Sequence, residues 1–469
     1  MQINSNENNE ESFRDAISTV DNAGKRIWVY PKKPIGRFYD YRKWVSYFLL
    51  ALLFLGPYLK IGGNPFLMFN VIERKFIIFG QIFWPQDFHI FAMGMIIIIL
   101  FITLFTVVFG RLFCGWVCPQ TIFMEMVFRR IEYWIEGDWK QQQRLDKSPW
   151  TKEKILKKVS KQTIFWFISF LIANTFLAYI VGYEELFKIM SDNPLEHLGG
   201  FMAIVIFTTL FYFVFSMFRE QVCTTICPYG RLQSVLLDNK SLVVAYDYKR
   251  GEERAKFRKN ELRADVGKGD CIDCNQCVNV CPTGIDIRNG TQLECVNCTA
   301  CMDACDYMMD GVGLEKGLIR IESIDGIESN TKFKYTTRVK AYIGVLILLM
   351  GFLAAMLITR SDFEATILRT RGTLFQKMEN GAYSNLYDIN LINKTDREMP
   401  VEIKLIEGKG SVTIIGDNMI LKSQNEAKGK FMIIIDKEHI TKSRLDLIVG
   451  VYSNDELIEK VKTTFIGPL

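Results

Sequence analysis

Five uncharged apolar runs constrain this chain more than any other feature: residues 44–59, 90–110, 162–183, 198–218 and 341–359. A helix takes about 20 apolar residues to cross the hydrocarbon core of a bilayer, and four of the runs reach or approach that length. The first is shorter. Arg42 and Lys43 before it and Lys60 after it can extend their charged ends to the interface, so it too is expected to span. Residues 76–84 are too short to cross and are expected to form an interfacial or re-entrant piece. A mean hydropathy of +0.10 over 469 residues, 49% of them hydrophobic, is too apolar for one soluble domain and leaves room for several units.

Charge orients the spans. Eleven Lys and Arg lie between the second and third runs, against three and one in the other two short loops. Cytoplasmic loops carry the excess of positive charge, so the eleven are expected in the cytoplasm, together with the N-terminus and residues 219–340. Five spans then place everything after residue 359 outside. Residues 1–22 are polar and acidic, without an apolar stretch behind a basic start, and do not read as a secretory signal peptide. The net charge of +5 is gathered in loops, which argues for a membrane surface and against nucleic acid as partner.

The expected architecture is a multi-domain membrane protein of the bacterial inner membrane. It has a cytoplasmic N-terminal segment (1–40), an α-helical four-span region (41–235), a cytoplasmic ferredoxin-like insert (236–337) and a fifth transmembrane helix (338–360). A periplasmic all-β immunoglobulin-like sandwich (361–469) completes it. The last assignment rests on short β-type runs at 386–392, 401–406, 411–415, 431–435, 445–452 and 461–465, separated by Gly, Asn and Asp. No cysteine lies there to staple it, and nothing in it argues for catalysis, so a structural or docking module is expected.

All 12 cysteines fall into two quartets and two pairs. Cys271, Cys274, Cys277 and Cys281 stand in the C-x2-C-x2-C-x3-C-P run of bacterial two-cluster ferredoxins. Cys295, Cys298, Cys301 and Cys305 repeat the spacing but end in Asp306 where proline is usual. Three thiolates two residues apart on a tight loop can each reach a different iron of one cubane, while the fourth comes from the other run. One 4Fe–4S cluster is therefore expected on Cys271, Cys274, Cys277 and Cys305, and a second on Cys281, Cys295, Cys298 and Cys301. Structural zinc favours two well-separated ligand pairs per ion, which runs of four do not supply. Disulfides do not suit a reducing cytosol.

The remaining cysteines form an internal repeat. Cys114 and Cys118 lie in FCGWVCP, and Cys223 and Cys227 lie in VCTTICP 109 residues later, each pair just past an even-numbered run. Pro119 and Pro228 suit the first turn of a helix, which sets Cys118 and Cys227 at helix N-termini. There the dipole is expected to lower the thiol pKa and favour metal or redox chemistry. The bland alternative is small cysteines packing a helix junction. His89 and His197 begin the second and fourth runs, with Met93 and Met202 close behind, a soft nitrogen and sulfur set that suits copper. Methionine on an apolar helix more often simply packs.

Beyond these motifs the chain resembles the FixG/CcoG-type cytochrome c oxidase accessory proteins, associated with assembly of cbb3-type oxidases. The likeness covers nearly the whole chain. It includes Gly36-Arg37-Phe38, both C-x3-C-P pairs, YDYKRGEER at 246–254, the two cysteine runs, and GLIR at 317–320. Glu253 stands where the family usually has proline. The resemblance implies a membrane protein that reduces Cu(II) to Cu(I), with cytochrome oxidase assembly factors and a copper chaperone or transporter as partners and a homodimer as assembly. Two other readings stand beside it: a quinol-linked membrane ferredoxin of the nitrate and nitrous oxide respiration type, and a non-catalytic assembly scaffold.

Overall fold

A computed structural model of the chain describes residues 19–468, apart from 21, 22, 24, 71–74, 260, 262, 331–334, 362, 371, 373, 380, 396, 397, 417–419 and 424. The expectation for residues 1–22 therefore falls, except at Thr19 and Val20, outside the described residues. The chain divides into two units, Met1–Leu353 and Ala354–Leu469.

The first unit begins with helix α1 (Arg37–Leu55). Its free N-terminal amides are capped from far along the chain: the Asp303 carboxylate accepts from Phe38 N at 3.1 Å and Tyr39 N at 2.7 Å. Gly36 is required there, because a Cβ at that position would come within 2.3 Å of Asp303 Cγ. The helix stops at Leu55, where Gly56 and Pro57 turn the chain into a 3-10 segment.

Next comes an antiparallel sheet of β1 (Leu67–Asn70), β2 (Lys75–Ile78) and β3 (Gln81–Phe83). Residues 76–84 are thus mostly strand, where an interfacial or re-entrant piece was expected. The reason is local: Phe79 and Gly80, with φ of 52° and 77°, form a two-residue turn whose twist matches paired strands, and Ile78 pairs with Gln81 across it.

Among the described residues four helices are long and apolar enough to cross a membrane. They are α2 (Phe88–Phe109), α5 (Lys152–Val181), α6 (Leu198–Phe218, its last turn π-helical) and α9 (Thr337–Ile358). The run at 44–59 is not among them, because α1 keeps only its second half apolar and ends early. Between α2 and α5 lie α3 (Pro119–Ile122) and α4 (Arg129–Ile135), joined by a π-helical stretch Phe123–Phe128. Phe128 stacks on Phe215 with ring centroids 4.5 Å apart and meets Phe165 edge-on, which locks this segment against α5 and α6.

Several cations of the basic loop are buried rather than facing a membrane surface. Arg129, Lys154 and Lys161 are 1%, 5% and 7% exposed. Glu132 binds Arg219 through two bonds of 2.7 and 2.8 Å and also faces Lys161 at 3.6 Å, while Arg129 pairs with Glu125 at 2.7 Å. Removing one partner of such a pair strands a buried charge. Glu132→Ala is expected to destabilise the protein by about 3–5 kcal/mol, read as a lower melting temperature in detergent; a variant that melts with the parent would show the pair to be dispensable.

The ferredoxin-like part follows α7 (Pro228–Leu236). Strand β4 (Val243–Tyr246) pairs antiparallel with β5 (Ile319–Glu322), and α8 (Ala300–Val312) lies between them in sequence.

The second unit is a sandwich of two antiparallel sheets. One has the order β9 (Ser411–Ile415), β10 (Glu426–Ile435), β7 (Tyr383–Asn393), β6 (Phe363–Arg369); the other has β8 (Glu402–Glu407), β11 (Arg444–Ser453), β12 (Glu456–Ile466). Tyr387, Leu391, Phe431, Val449 and Phe465 are wholly buried between them, with Tyr387 stacked on Phe431 at 5.3 Å and its hydroxyl donating to Thr464 O at 2.9 Å. The six expected strands are present. Strand β6 was not among them, and β10 starts five residues earlier than its apolar run, because backbone pairing with β7 carries the strand through the polar residues Glu426–Lys430.

Candidate iron–sulfur and thiol site

The two cysteine runs repeat every 24 residues, and so does their backbone. Asp273 and Asn275 flank Cys274 with φ of 49° and 55°; Asn297 and Thr299 flank Cys298 with φ of 52° and 64°. These left-handed residues curl each loop around its own thiols. Asp and Asn tolerate that conformation, whereas Thr299 is held in it against its β-branch.

Each loop closes on a space. One is lined by Cys271, Cys274, Cys277 and Cys305 together with Tyr246, Arg288 and apolar side chains. The other is lined by Cys281, Cys295, Cys298 and Cys301, and Cys277 lines it too. The last cysteine of each run therefore lines the other run's space. Among the described residues no three His, Cys, Asp or Glu side chains close on a point that one metal ion could occupy. Four thiols that line one space without converging on a single-ion point fit a polynuclear group such as a cubane and fit a mononuclear zinc poorly. Burial pushes the thiols of Cys277, Cys295 and Cys305 up to about 12 and that of Cys298 to about 11, so metal charge is needed to make them thiolates.

The 109-residue repeat is also structural. Gly110 and Arg219 break their helices with nearly the same backbone angles, φ 55° and ψ −130° against φ 53° and ψ −124°. The amides of Cys118 and Cys227 then bond back to Phe113 O at 3.0 Å and Val222 O at 2.7 Å. Arg219, a non-glycine in this strained position, is held by its bonds to Glu132 and by the Trp28 ring 4.8 Å from its guanidinium.

The repeats meet. Arg111 donates to Gly230 O, Cys114 Sγ lies 3.3 Å from Gln233 Oε1, and Thr106 and Tyr229 hydroxyls are 2.8 Å apart. Cys118 and Cys227 cap α3 and α7 as expected. The expected fall in thiol pKa is not found at Cys118. Burial raises it despite the amides of Thr121 and Gln120 nearby, and burial drives Cys114 to about 11 and Cys223 to about 12. At Cys118 desolvation outweighs what the helix N-terminus offers the thiolate. Cys114 packs against the buried cluster of Val280, Val296, Cys298 and Ala300, as Cys301 does, and a Cβ on its neighbour Gly115 would lie 2.5 Å from Val296 O, so the first pair lies next to the second cysteine run.

The other candidate metal residues stand at the ends of α2 and α6. His89 is exposed at the start of α2 and Met93 half-buried one turn later, while Met202 is exposed on α6. His197 pairs with Asp192 at 3.2 Å on its own loop.

Sequence reasoning missed Arg42 and Arg111. Arg42 was read as a snorkelling residue at the bilayer edge; it is 2% exposed, and its Nε donates to Gly115 O at 2.7 Å. Only the approach of α1 to the first C-x3-C-P loop reveals this.

Comparison with known proteins agrees with the geometry. Residues 218–324 match the family model of a 4Fe–4S dicluster domain. Residues 91–140, whose only cysteines are Cys114 and Cys118, match a 4Fe–4S binding domain, and residues 353–468 match the immunoglobulin-like fold at the C-terminus of FixG. The nitrogen fixation protein FixG of Rhizobium meliloti is 32% identical over 430 residues, covering 83% of this chain and 81% of the relative. The chain belongs to the FixG family. Two further relatives, the proteins RdxB and RdxA of Cereibacter sphaeroides, are each 33% identical, over 81% and 80% of this chain. This FixG-type chain is thus a membrane protein with iron–sulfur binding domains and an immunoglobulin-like C-terminal unit.

Proposed function

We propose that this FixG-type protein is an oxidoreductase that supports cbb3-type oxidase assembly by reducing Cu(II) to Cu(I). In this reading Cys271, Cys274, Cys277 and Cys305 hold one 4Fe–4S cluster, and Cys281, Cys295, Cys298 and Cys301 hold the second. Cys114, Cys118, Cys223 and Cys227 form the site where copper is reduced. The observation that supports it is the packing of Cys114 against the cluster of Val280, Val296, Cys298 and Ala300, which sets a group of thiols suited to Cu(I) beside the second cysteine run. When bound, the clusters supply single electrons. The chain's own work is to hold four half-buried thiols at the junction of the two repeats. A reduced cluster held by the cysteine runs would supply the single electron that Cu(II) needs to become Cu(I), and the thiols of Cys114, Cys118, Cys223 and Cys227 would hold the Cu(I) formed.

The test is anaerobic: the dithionite-reduced, desalted protein should re-oxidise on adding Cu(II) and produce Cu(I) in equal amount, captured by a Cu(I)-specific chelator. Cluster bleaching without Cu(I) would reject copper as acceptor. The partners in this reading are oxidase assembly factors and a copper chaperone or transporter.

The topology belongs to the same proposal: an inner-membrane protein with a cytoplasmic insert and a periplasmic C-terminal unit. Although α1 is short of apolar residues, its start contacts Asp303 and Gly115 while Tyr179, near the far end of α5, donates to Leu53 O at 2.9 Å. That supports α1 running alongside α5 as a fifth crossing. A reporter fused after Leu469 should be active only in the periplasm and one near Lys268 only in the cytoplasm; the same side for both would refute it.

One observation favours the quinol-linked reading. An apolar cleft lined by Leu49, Leu53, Phe66, Phe123, Phe176 and Tyr179 reaches Val117 and Pro119, the neighbours of Cys118. Reduction of the clusters by a water-soluble quinol analogue, with no competence toward Cu(II), would decide for it.

A further inference from the structure

The two cysteine-lined spaces face opposite charge. At the space of Cys271, Cys274, Cys277 and Cys305 the cation is Arg288, and it is already neutralised: it binds Asp286 at 2.7 Å and Asp273 at 2.6 Å. Asp306, standing where the run would usually carry proline, adds a further carboxylate directly after Cys305 and accepts from Gly317 N at 2.8 Å. At the other space two buried arginines approach. Arg42 bonds Gly115 O, and Gly115 lies so close to the second run that a Cβ there would sit 2.5 Å from Val296 O. Arg111 follows Gly110, which packs against Asn297. Both arginines are more than nine-tenths buried; Arg42 donates to Gly115 O and Arg111 to Gly230 O, both backbone carbonyls, and Arg42 Nη2 and Arg111 Nε find no protein acceptor. Two carboxylates act on this region, Glu294 on Arg111 and Glu125 on Cys298, and Glu125 is paired with Arg129 at 2.7 Å.

We propose that this asymmetry gives the cluster held by Cys281, Cys295, Cys298 and Cys301 the higher reduction potential, so that an electron entering the insert comes to rest beside Cys114. Reduction adds one negative charge inside a poorly polarisable interior. Guanidinium groups without carboxylate partners favour the reduced form, and a surplus of carboxylates opposes it. The step is a single electron leaving one cluster, oxidised by one, and entering the other, reduced by one; no bond or proton changes hands. The inference rests on the two spaces being 4Fe–4S sites and adds a direction to them.

The test is a reductive titration of the full-length protein in detergent, followed by EPR, with each signal assigned through Cys274→Ser and Cys298→Ser. The signal missing from Cys298→Ser should appear first. Arg42→Gln and Arg111→Gln should each move it to lower potential, Arg42→Lys should retain it, and Asp306→Asn should raise the other signal. The order reversed, or both midpoints unmoved in the two glutamine variants, overturns the proposal. If those variants lose iron, Asp306→Asn decides: an unmoved low-potential signal overturns it equally. Zinc in place of iron in the parent protein, seen by metal analysis before any titration, would instead bring down the ligand assignment itself.

Discussion

Replacing Cys118 and Cys227 together by alanine is expected to abolish Cu(II) reduction while both iron–sulfur signals persist. Neither residue lines a cluster space. Each is the N-cap of a helix whose following proline sets the backbone, with φ −58° and ψ 124° at Cys118 and φ −69° and ψ 114° at Cys227, angles that alanine adopts freely. The fold around the motifs is carried by other contacts, above all Arg111 to Gly230 and Arg219 to Glu132. What the double variant removes is half of the sulfur available to Cu(I). The loss should exceed the roughly 100-fold that removal of an outer supporting residue costs a metal site. The readout is Cu(I) formed per cluster re-oxidised, with EPR of the reduced protein as control. Parental turnover in this variant would make the pairs structural and would send the search for the copper site elsewhere.

The second large effect concerns ligand exchange between the cysteine runs. Anaerobically purified protein should carry about eight irons, four for each cubane, and Cys274→Ser and Cys298→Ser should each cost one cluster first. The informative pair is Cys281→Ser and Cys305→Ser. Cys305 lines the space of Cys271, Cys274 and Cys277, and Cys281 lines that of Cys295, Cys298 and Cys301. Cys305→Ser should therefore reproduce the spectrum of Cys274→Ser, and Cys281→Ser that of Cys298→Ser. The opposite pairing would mean that each run keeps its own fourth cysteine, and zinc at one or two per chain with little iron would end the assignment.

What could be read from the residues alone was whatever is encoded over short distances. The two cysteine runs are of this kind, since the reach of three thiols from one tight loop depends on a dozen residues and hardly on the rest of the chain. Runs of apolar residues announce α2, α5, α6 and α9 because crossing a bilayer is a matter of length and transfer free energy. The alternation in β9 and β11 announces strands for the same local reason. Even the 109-residue repeat was visible, since it is a property of the string.

Tertiary structure decided where local patterns compete or distant segments meet. The run at 44–59 announces a helix, but not that this helix is capped at one end by Asp303, 265 and 264 residues along the chain from Phe38 and Tyr39, and stopped at the other by Gly56 and Pro57. Residues 76–84 became strands through a turn and a partner strand, neither of which apolarity reveals. The thiols at the helix N-termini were expected to be acidified by the dipole, a local effect; burial, which depends on every segment packed around them, is larger and of opposite sign at Cys118. The same holds for charge. Arg42 and Arg111 look like ordinary basic residues at the ends of apolar runs, and Asp306 like a minor departure from a motif. Their meaning lies in which cysteine-lined space each one faces, and Coulomb interactions depend on separation in space and on local polarisability, neither of which follows from position in the chain.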